Sequence, residues 1–358
     1  MLYVILAAEY LAWSGDLATI RTLAPCLTSA LSWMSDWGDH DGDGYFDYEG
    51  NYQNGLVNQG WKDSGDAIVN ADGTLVEPPV ALAEVQSYAY RAWRSAATLQ
   101  RALDQPDRAS SAARRADALR SGFEEDFWSE KLGCYVLARQ RGGRPAEVVS
   151  SNAGQVLWGG IASLAHARQV AHRLFESDMF TGWGIRTLSS RERRFNPISY
   201  HLGSVWPHDN GFILDGLRRY GLDDCAVRIF QGLFDAAVHL SGYRLPELFC
   251  GYERQPGEPP VSYPFASSPQ AWAAGALPHC IWSLLGLRPD ALNRSLEIVR
   301  PMLPPSVEWI EVNRLRVGTA EAYLRFDRRD DGSADVDAKV LHGDLQMQVR
   351  RDVLADSE

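Results

Sequence analysis

The residues with chemistry to offer gather in four stretches. The first, GLVNQGWKDSGDA, carries Asn58, Gln59, Trp61, Lys62, Asp63 and Asp66 in a segment too polar for a core and too rich in Trp and Gly for an idle linker. The second, NPISYHLGSVWPHDNG, brings Tyr200, His201, Trp206, His208, Asp209 and Asn210. In the third, YRLPELFCGYER, Glu247 follows a proline and stands among apolar residues; the fourth, YPFASSPQAWAAG, sets Gln270 and Trp272 at the start of a helix. Taken singly, each has a plain structural reading. An aspartate near a helix start is commonly a cap, and a glutamate in an apolar string is commonly a buried ion-pair partner. Their combination says more. Two isolated carboxylates in separate loops, with Trp, Tyr, His and Gln about them, suit glycoside hydrolysis, which needs one acid to protonate the leaving oxygen, one base to activate water, and rings to bind sugar.

Other chemistries find less support. His201, His208 and Asp209 have no Cys or third histidine nearby, so no metal is expected there. There is no phosphate loop and no Gly-x-Ser-x-Gly elbow, and no cofactor is expected. The stretch DHDGDGYFDYEG begins like a calcium loop, with Asp39, Asp41 and Asp43 at alternate positions and Gly44 at the sixth. Its twelfth place holds Gly50 where a bidentate Glu is needed, and an Asp/Gly-rich turn is the simpler reading.

Composition narrows the setting. With 45% hydrophobic and 23% charged residues over 358 positions, the chain reads as a soluble globular protein with a large core. A net charge of −11, spread along the chain, argues against binding to phosphate backbones, so nucleic acid is not an expected partner. Five scattered cysteines fit neither a disulfide framework nor a zinc site, and a reducing compartment follows. The apolar start MLYVILAAEYLAW lacks a basic leader and contains Glu9, and no apolar run approaches the roughly 20 residues that span a bilayer. A cytoplasmic protein without a membrane partner is expected.

The elements that must position these stretches are mostly helices. Leu2 to about Trp13 and Asp16 to about Trp37 form a hairpin around SGD, in which Gly15 ends one helix and Asp16 caps the next. Apolar residues three or four apart from Ala81 onward predict a second hairpin, turning at DQPDRAS. Two shorter helices are expected between Ala153 and Phe175, a further pair around YG at Tyr220 and Gly221, and one more over Ser267 to Leu287. Long loops at residues 38–79, 178–207 and 241–268 separate them, and loops of that length are usually functional. Repeated hairpins joined by elaborate loops suggest an (α/α) barrel with its cleft at one end. After Pro301 the pattern changes to alternation, as in LRVGTAEAYLRFDR, and predicts a small β-rich appendage.

At this point the chain resembles a family, the helical catalytic domain of six-hairpin glycosidases, most closely the bacterial amylo-α-1,6-glucosidase or glycogen-debranching-like proteins. The stretches that carry the resemblance are DGDGYFDY, GLVNQGWKDSGDA, GWGIRTLS, SYHLGSVWPHDNG, RLPELFCGYER and PQAWAAG, in the family's order, and it covers nearly the whole chain. It implies a mainly α fold, an (α/α)6 toroid over residues 1–295, with a β-rich appendage over 296–358. It also implies that the Asp of the GWKD segment, Asp63, is the general acid, and that the Glu of the PELF segment, Glu247, is the general base. The Asp/Gly-rich turn then becomes scaffold for Asp63. The activity so implied is inverting hydrolysis of an α-glucosidic bond in an oligosaccharide or glucan, of the amylo-α-1,6-glucosidase or debranching type, with weak or no turnover expected where the ring is incomplete. Alternatives are hydrolysis of a small glucosyl or mannosyl compound and a noncatalytic carbohydrate-binding fragment. Trp61, Trp206 and Trp272 are expected in the cleft wall, and Lys62, Asp66, His201, His208, Asp209 and Gln270 in contact with substrate. The helices are too few for six hairpins, so the toroid is expected to be incomplete at the N-terminus. A missing N-terminal segment or self-association would then complete it.

Overall fold

The structure is a computed structural model that describes residues 1–49 and 55–351. Gly50, at the end of the Asp/Gly-rich stretch, and residues 352–358 of the expected appendage lie outside the described residues. Nine α-helices occur among those described. The first two are α1 (Leu2–Ser14) and α2 (Leu17–Asp36). Gly15 ends α1 in the left-handed region at φ 66, donating its N–H to Leu11 O, and Asp16 Oδ1 accepts from Thr19 N at 3.0 Å to cap α2. The other predicted helices follow as α3 (Ala83–Ala102), α4 (Pro106–Asp126), α5 (Asn152–Gly159), α6 (Leu164–Leu174), α7 (Pro207–Arg219), α8 (Asp223–Val238) and α9 (Ala271–Leu285). The last starts later than Ser267, because a residue before proline is driven away from helical backbone and Pro269 stands in that stretch. No helix among the described residues is long and apolar enough to cross a membrane.

The chain divides into two compact units. One comprises residues 1–30, 92–114 and 280–358 and holds the two larger sheets. Strands β6 (Leu287–Asp290), β7 (Ser295–Val299) and β11 (Gln346–Arg350) form one sheet in the order β11-β7-β6. Strands β8 (Trp309–Val317), β9 (Ala320–Arg328) and β10 (Ala334–His342) form the other, antiparallel throughout. Their core joins Leu296, Ile298, Leu315, Val317, Leu324 and Phe326, with Trp13 and Ile281 packed against it. The end of α1 is pinned there by Ala291 N to Ala12 O at 2.9 Å and Gly318 N to Trp13 O at 2.8 Å. Strands therefore begin at Leu287, before the change of pattern at Pro301. β6 and β7 have four and five residues, too few for alternation to declare itself.

The other unit comprises residues 31–91 and 115–279 and contains all four chemistry-bearing stretches. Between α4 and α5 it has four short strands that the sequence pattern did not declare: β2 (Trp128–Ser129), β3 (Cys134–Tyr135), β4 (Ala138–Gln140) and β5 (Arg144–Ala146). With β1 (Ala81–Leu82), β4 and β5 make a three-stranded sheet. Its apolar side joins Tyr48, Ala67, Ile68, Val69, Val80, Leu82, Leu137 and Leu202 in one buried cluster. Isolated bridges then link Ser150 with Leu188, Arg186 with Val205, Val205 with Phe249, and Phe249 with Ser262. These single pairings lash the long loops to one another.

Candidate active site

The loop carrying Asp63 is fixed on both sides. Downstream, Ala67, Ile68 and Val69 are each about 1% exposed in the cluster just described. Upstream, Tyr48 donates its hydroxyl to Asn58 Oδ1 at 2.8 Å, and Asn58 Nδ2 donates to Ser64 O at 2.7 Å. Within the Asp/Gly-rich turn, which precedes Tyr48 in the chain, Asp39 accepts from the backbone of Gly42 and Gly44. Carboxylate atoms of Asp39, Asp41 and Asp43 lie within 4.8 Å of one another on the exposed side of that turn. Gly60 is required by close approach, since a Cβ there would lie 2.3 Å from Leu82 Cδ1 and 2.8 Å from Glu84 Oε1. At the loop's tip Asp63 is exposed, with no hydrogen-bond or ion-pair partner among the described residues.

Glu247 is held differently. It is buried, its Oε1 accepts from the Tyr200 hydroxyl at 2.7 Å and its Oε2 accepts from Ser267 N at 3.0 Å. Burial pushes the Tyr200 hydroxyl well up, helped by the bond to Glu247 and by the negative charges of Glu247 and Asp63. The loop of Asp63 meets the same stretch through Ser64 Oγ, which lies 2.8 Å from Nδ1 of His201, the residue after Tyr200.

Aromatic rings enclose that place. His201 stacks on Trp206 at 4.9 Å between centroids, and Trp61 meets His201, Trp206 and His208 edge-on at 5.5, 5.7 and 5.3 Å. Trp272 tilts against His208 at 5.1 Å and is half exposed. Trp206, only 2% exposed, donates its indole N–H to Tyr200 O at 2.9 Å. It backs the site and has no free face for a sugar, contrary to the expectation of a cleft-wall ring. His201 is likewise buried, with its Nδ1 on Ser64 Oγ at 2.8 Å. Burial lowers the two histidines to about 3 for His201 and about 4 for His208, so both are neutral near pH 7.

Behind the rings lies a buried polar set. Lys62 is 1% exposed and its Nζ donates to Thr187 O at 2.5 Å. Glu84 Oε2 accepts from Asn152 Nδ2 at 2.8 Å, and Asp209 Oδ1 accepts from Gln155 Nε2 at 2.5 Å. Glu84 Oε1, Asp209 Oδ2, Trp61 Nε1 and His208 Nδ1 are buried without hydrogen-bond partners among the described residues. Burial drives the Lys62 ammonium down and Glu84 up, and carries Asp209 to about 6, while the opposite charges of the set partly offset this.

Of the residues expected to touch substrate, Lys62, His201, Trp206 and Asp209 are therefore sealed behind the site instead of facing it. Asp66 is exposed near Asp63 in sequence, and Gln270 turns its Oε1 to Ala271 N at 2.8 Å, capping α9. Glu84, Asn152 and Gln155 were not anticipated as part of the set. A signal existed for Glu84, a lone carboxylate in the apolar string VALAEV, whereas the α5 amides carry none, because their partners are more than 50 residues away in sequence.

A helical domain with a β-rich C-terminal part, carrying loop-borne carboxylates and clustered aromatic rings, has the side-chain types that glycoside hydrolysis uses. The family model for the mannosylglycerate hydrolase MGH1-like glycoside hydrolase domain matches residues 3–252, a span that includes both Asp63 and Glu247, and the chain belongs to that family. The mannosylglycerate hydrolase of Rubrobacter radiotolerans is 27% identical over 147 residues, 40% of this chain and 33% of the relative. Among solved structures, a sialidase shares the fold at a TM-score of 0.73 and 15% identity, over 95% of this chain and 31% of that one. A GH78 family rhamnosidase of Bacillus sp. GL1 shares it at 0.65 and 16%, over 98% and 32%. The chain thus spans about a third of the length of its curated relative, at 33%.

Proposed function

We propose that this domain hydrolyses the α-glycosidic bond of a small mannosyl or glucosyl compound with inversion, Glu247 acting as base and Asp63 as acid. The observation that carries the reading is the buried Glu247 carboxylate, held by the Tyr200 hydroxyl at 2.7 Å beside the loop of Asp63, whose neighbour Ser64 places Oγ 2.8 Å from His201 Nδ1. In the reaction Glu247 takes a proton from water, the water oxygen bonds to the anomeric carbon, and the bond to the leaving oxygen breaks as Asp63 gives that oxygen its proton. Tyr200 and Ser267 N orient the base throughout. The two carboxyl groups are expected about 6.5–9.5 Å apart, leaving room for the water. The proposal keeps the (α/α)-toroid reading of the helical hairpins.

A small substrate is preferred to a branched glucan because the family and the curated relative both take their names from mannosylglycerate hydrolysis. The test is sugar release by the purified chain from mannosylglycerate, glucosylglycerate and an α-1,6-branched glucan, with the anomer first formed read by NMR. Release from a small compound as the β anomer is the expected result. Release from the glucan alone would overturn the substrate class, and a first-formed α anomer would overturn inversion. Binding of sugars without release from any of them would leave a carbohydrate-binding fragment.

A further inference from the structure

Lys62 and Asp63 are neighbours in sequence with opposite surroundings. The aspartate is exposed and its carboxylate has no side-chain partner among the described residues, so its place is set entirely by the backbone beneath it. The lysine is 1% exposed and sends its ammonium inward to the carbonyl of Thr187 at 2.5 Å. Thr187 lies in the lashing that leads to the other carboxylate. Its N–H donates to Ser204 O at 2.9 Å, and the next residue, Val205, exchanges two backbone hydrogen bonds with Phe249, at 2.9 and 3.0 Å. Phe249 is two residues beyond Glu247. A run of hydrogen bonds therefore joins the lysine to the loop that carries the candidate base.

Burying an ammonium is costly, and it forms no direct ion pair with Glu84 or Asp209 among the described residues, although their charges favour it. A methionine of similar length would fill the space without a charge. What the ammonium adds is a directed bond from the acid's loop to Thr187.

We propose that Lys62 is a positioning residue, whose buried bond to the Thr187 carbonyl sets where Asp63 stands relative to Glu247. The proposal rests on the assignment of acid and base given above. Glu247 is held by its own hydrogen bonds to Tyr200 and Ser267, in which Lys62 takes no part, so loss of the lysine is expected to displace the acid and leave the base in place.

The experiment is Lys62→Met, assayed on an alkyl glycoside, whose leaving oxygen needs a proton, and on the matching glycosyl fluoride, which does not. kcat on the alkyl glycoside should fall about 100-fold, the scale of a displacement of about 1 Å, with a loss of less than about 5-fold on the fluoride. Lys62→Arg, which keeps a charged donor, should recover part of the loss. Equal losses on the two substrates, or no loss, would overturn the proposal. If Lys62→Met does not fold, the same assays are made on Lys62→Met with Glu84→Gln, which removes the carboxylate left without its nearby cation. Hydrogen exchange of amides 61–66 is measured alongside and should quicken in the variant while amides 247–250 stay unchanged. A wild-type protein that cleaves no glycoside, yet shows that exchange pattern, would overturn the hydrolase reading and leave the tether standing; unchanged exchange would overturn the tether itself.

Discussion

Lowering the pH should unfold this protein through two histidines beside its candidate active site. His201 is buried against Trp61 and Trp206, His208 packs against Trp61, Trp206 and Trp272, and desolvation holds them at about 3 and about 4 against an ordinary value of 6.5. The unfolded chain takes up both protons as pH falls below 6.5, while the folded chain refuses them, so stability is complete above that value and is lost below it. At about pH 4.5 the two groups together should cost about 5 kcal/mol, roughly half from each, and at about pH 7 almost nothing. Asp209 works in the opposite sense. Its carboxyl is raised to about 6, so the folded state gains a proton first and recovers about 2 kcal/mol over the same interval. The comparison that isolates the histidines is therefore between wild type and the double variant His201→Gln, His208→Gln, in which Asp209 is common to both. Urea unfolding followed by tryptophan fluorescence at about pH 7 and about pH 4.5 gives the two stabilities. The wild type should lose about 5 kcal/mol more than the variant between these conditions. Parallel losses would show that the imidazoles already accept protons in the fold, and would refute the burial argument.

Asp63→Asn should abolish cleavage of substrates with poor leaving groups and spare activated aryl glycosides, since a carboxamide cannot protonate the departing oxygen, whereas Glu247→Gln should impair both; equal losses for Asp63→Asn would remove it as the acid. Trp206→Ala should cost about 3–5 kcal/mol in unfolding experiments, because a buried ring leaves a cavity. Trp272→Ala, at a half-exposed ring, should chiefly raise KM with a small change in Tm, and the reverse pattern would exchange their roles. Gly60→Ala should destabilise by about 1–3 kcal/mol, as its Cβ would collide with Leu82 and Glu84. A thermal melt identical to wild type would show that the loop yields.

The helical hairpins were legible because helices such as α3 repeat apolar residues every three or four positions and because the turns are punctuated locally: Gly15 and Asp16 end and begin helices through contacts within four residues. Glu247 and Asp63 stood out for a related reason. A carboxylate among apolar residues, or in a polar loop beside tryptophan, is conspicuous in one dimension. The short strands between α4 and α5 left no mark, being two or three residues long and defined by partners such as Ala81 and Leu82 far back in the chain.

Residue type named the chemistry of the site, and only the tertiary structure decided which atoms face it. Lys62, His201, Trp206 and Asp209 look, in sequence, like sugar-binding residues no different from Trp272, and the fold buries all four while leaving Trp272 half exposed. Exposure is a property of what packs above a side chain. For Lys62 that is set by Thr187, 125 residues away, and for Asp209 by Gln155, 54 residues away. No local pattern records such a meeting, because a hydrogen bond between distant segments constrains neither one's periodicity nor its turn residues.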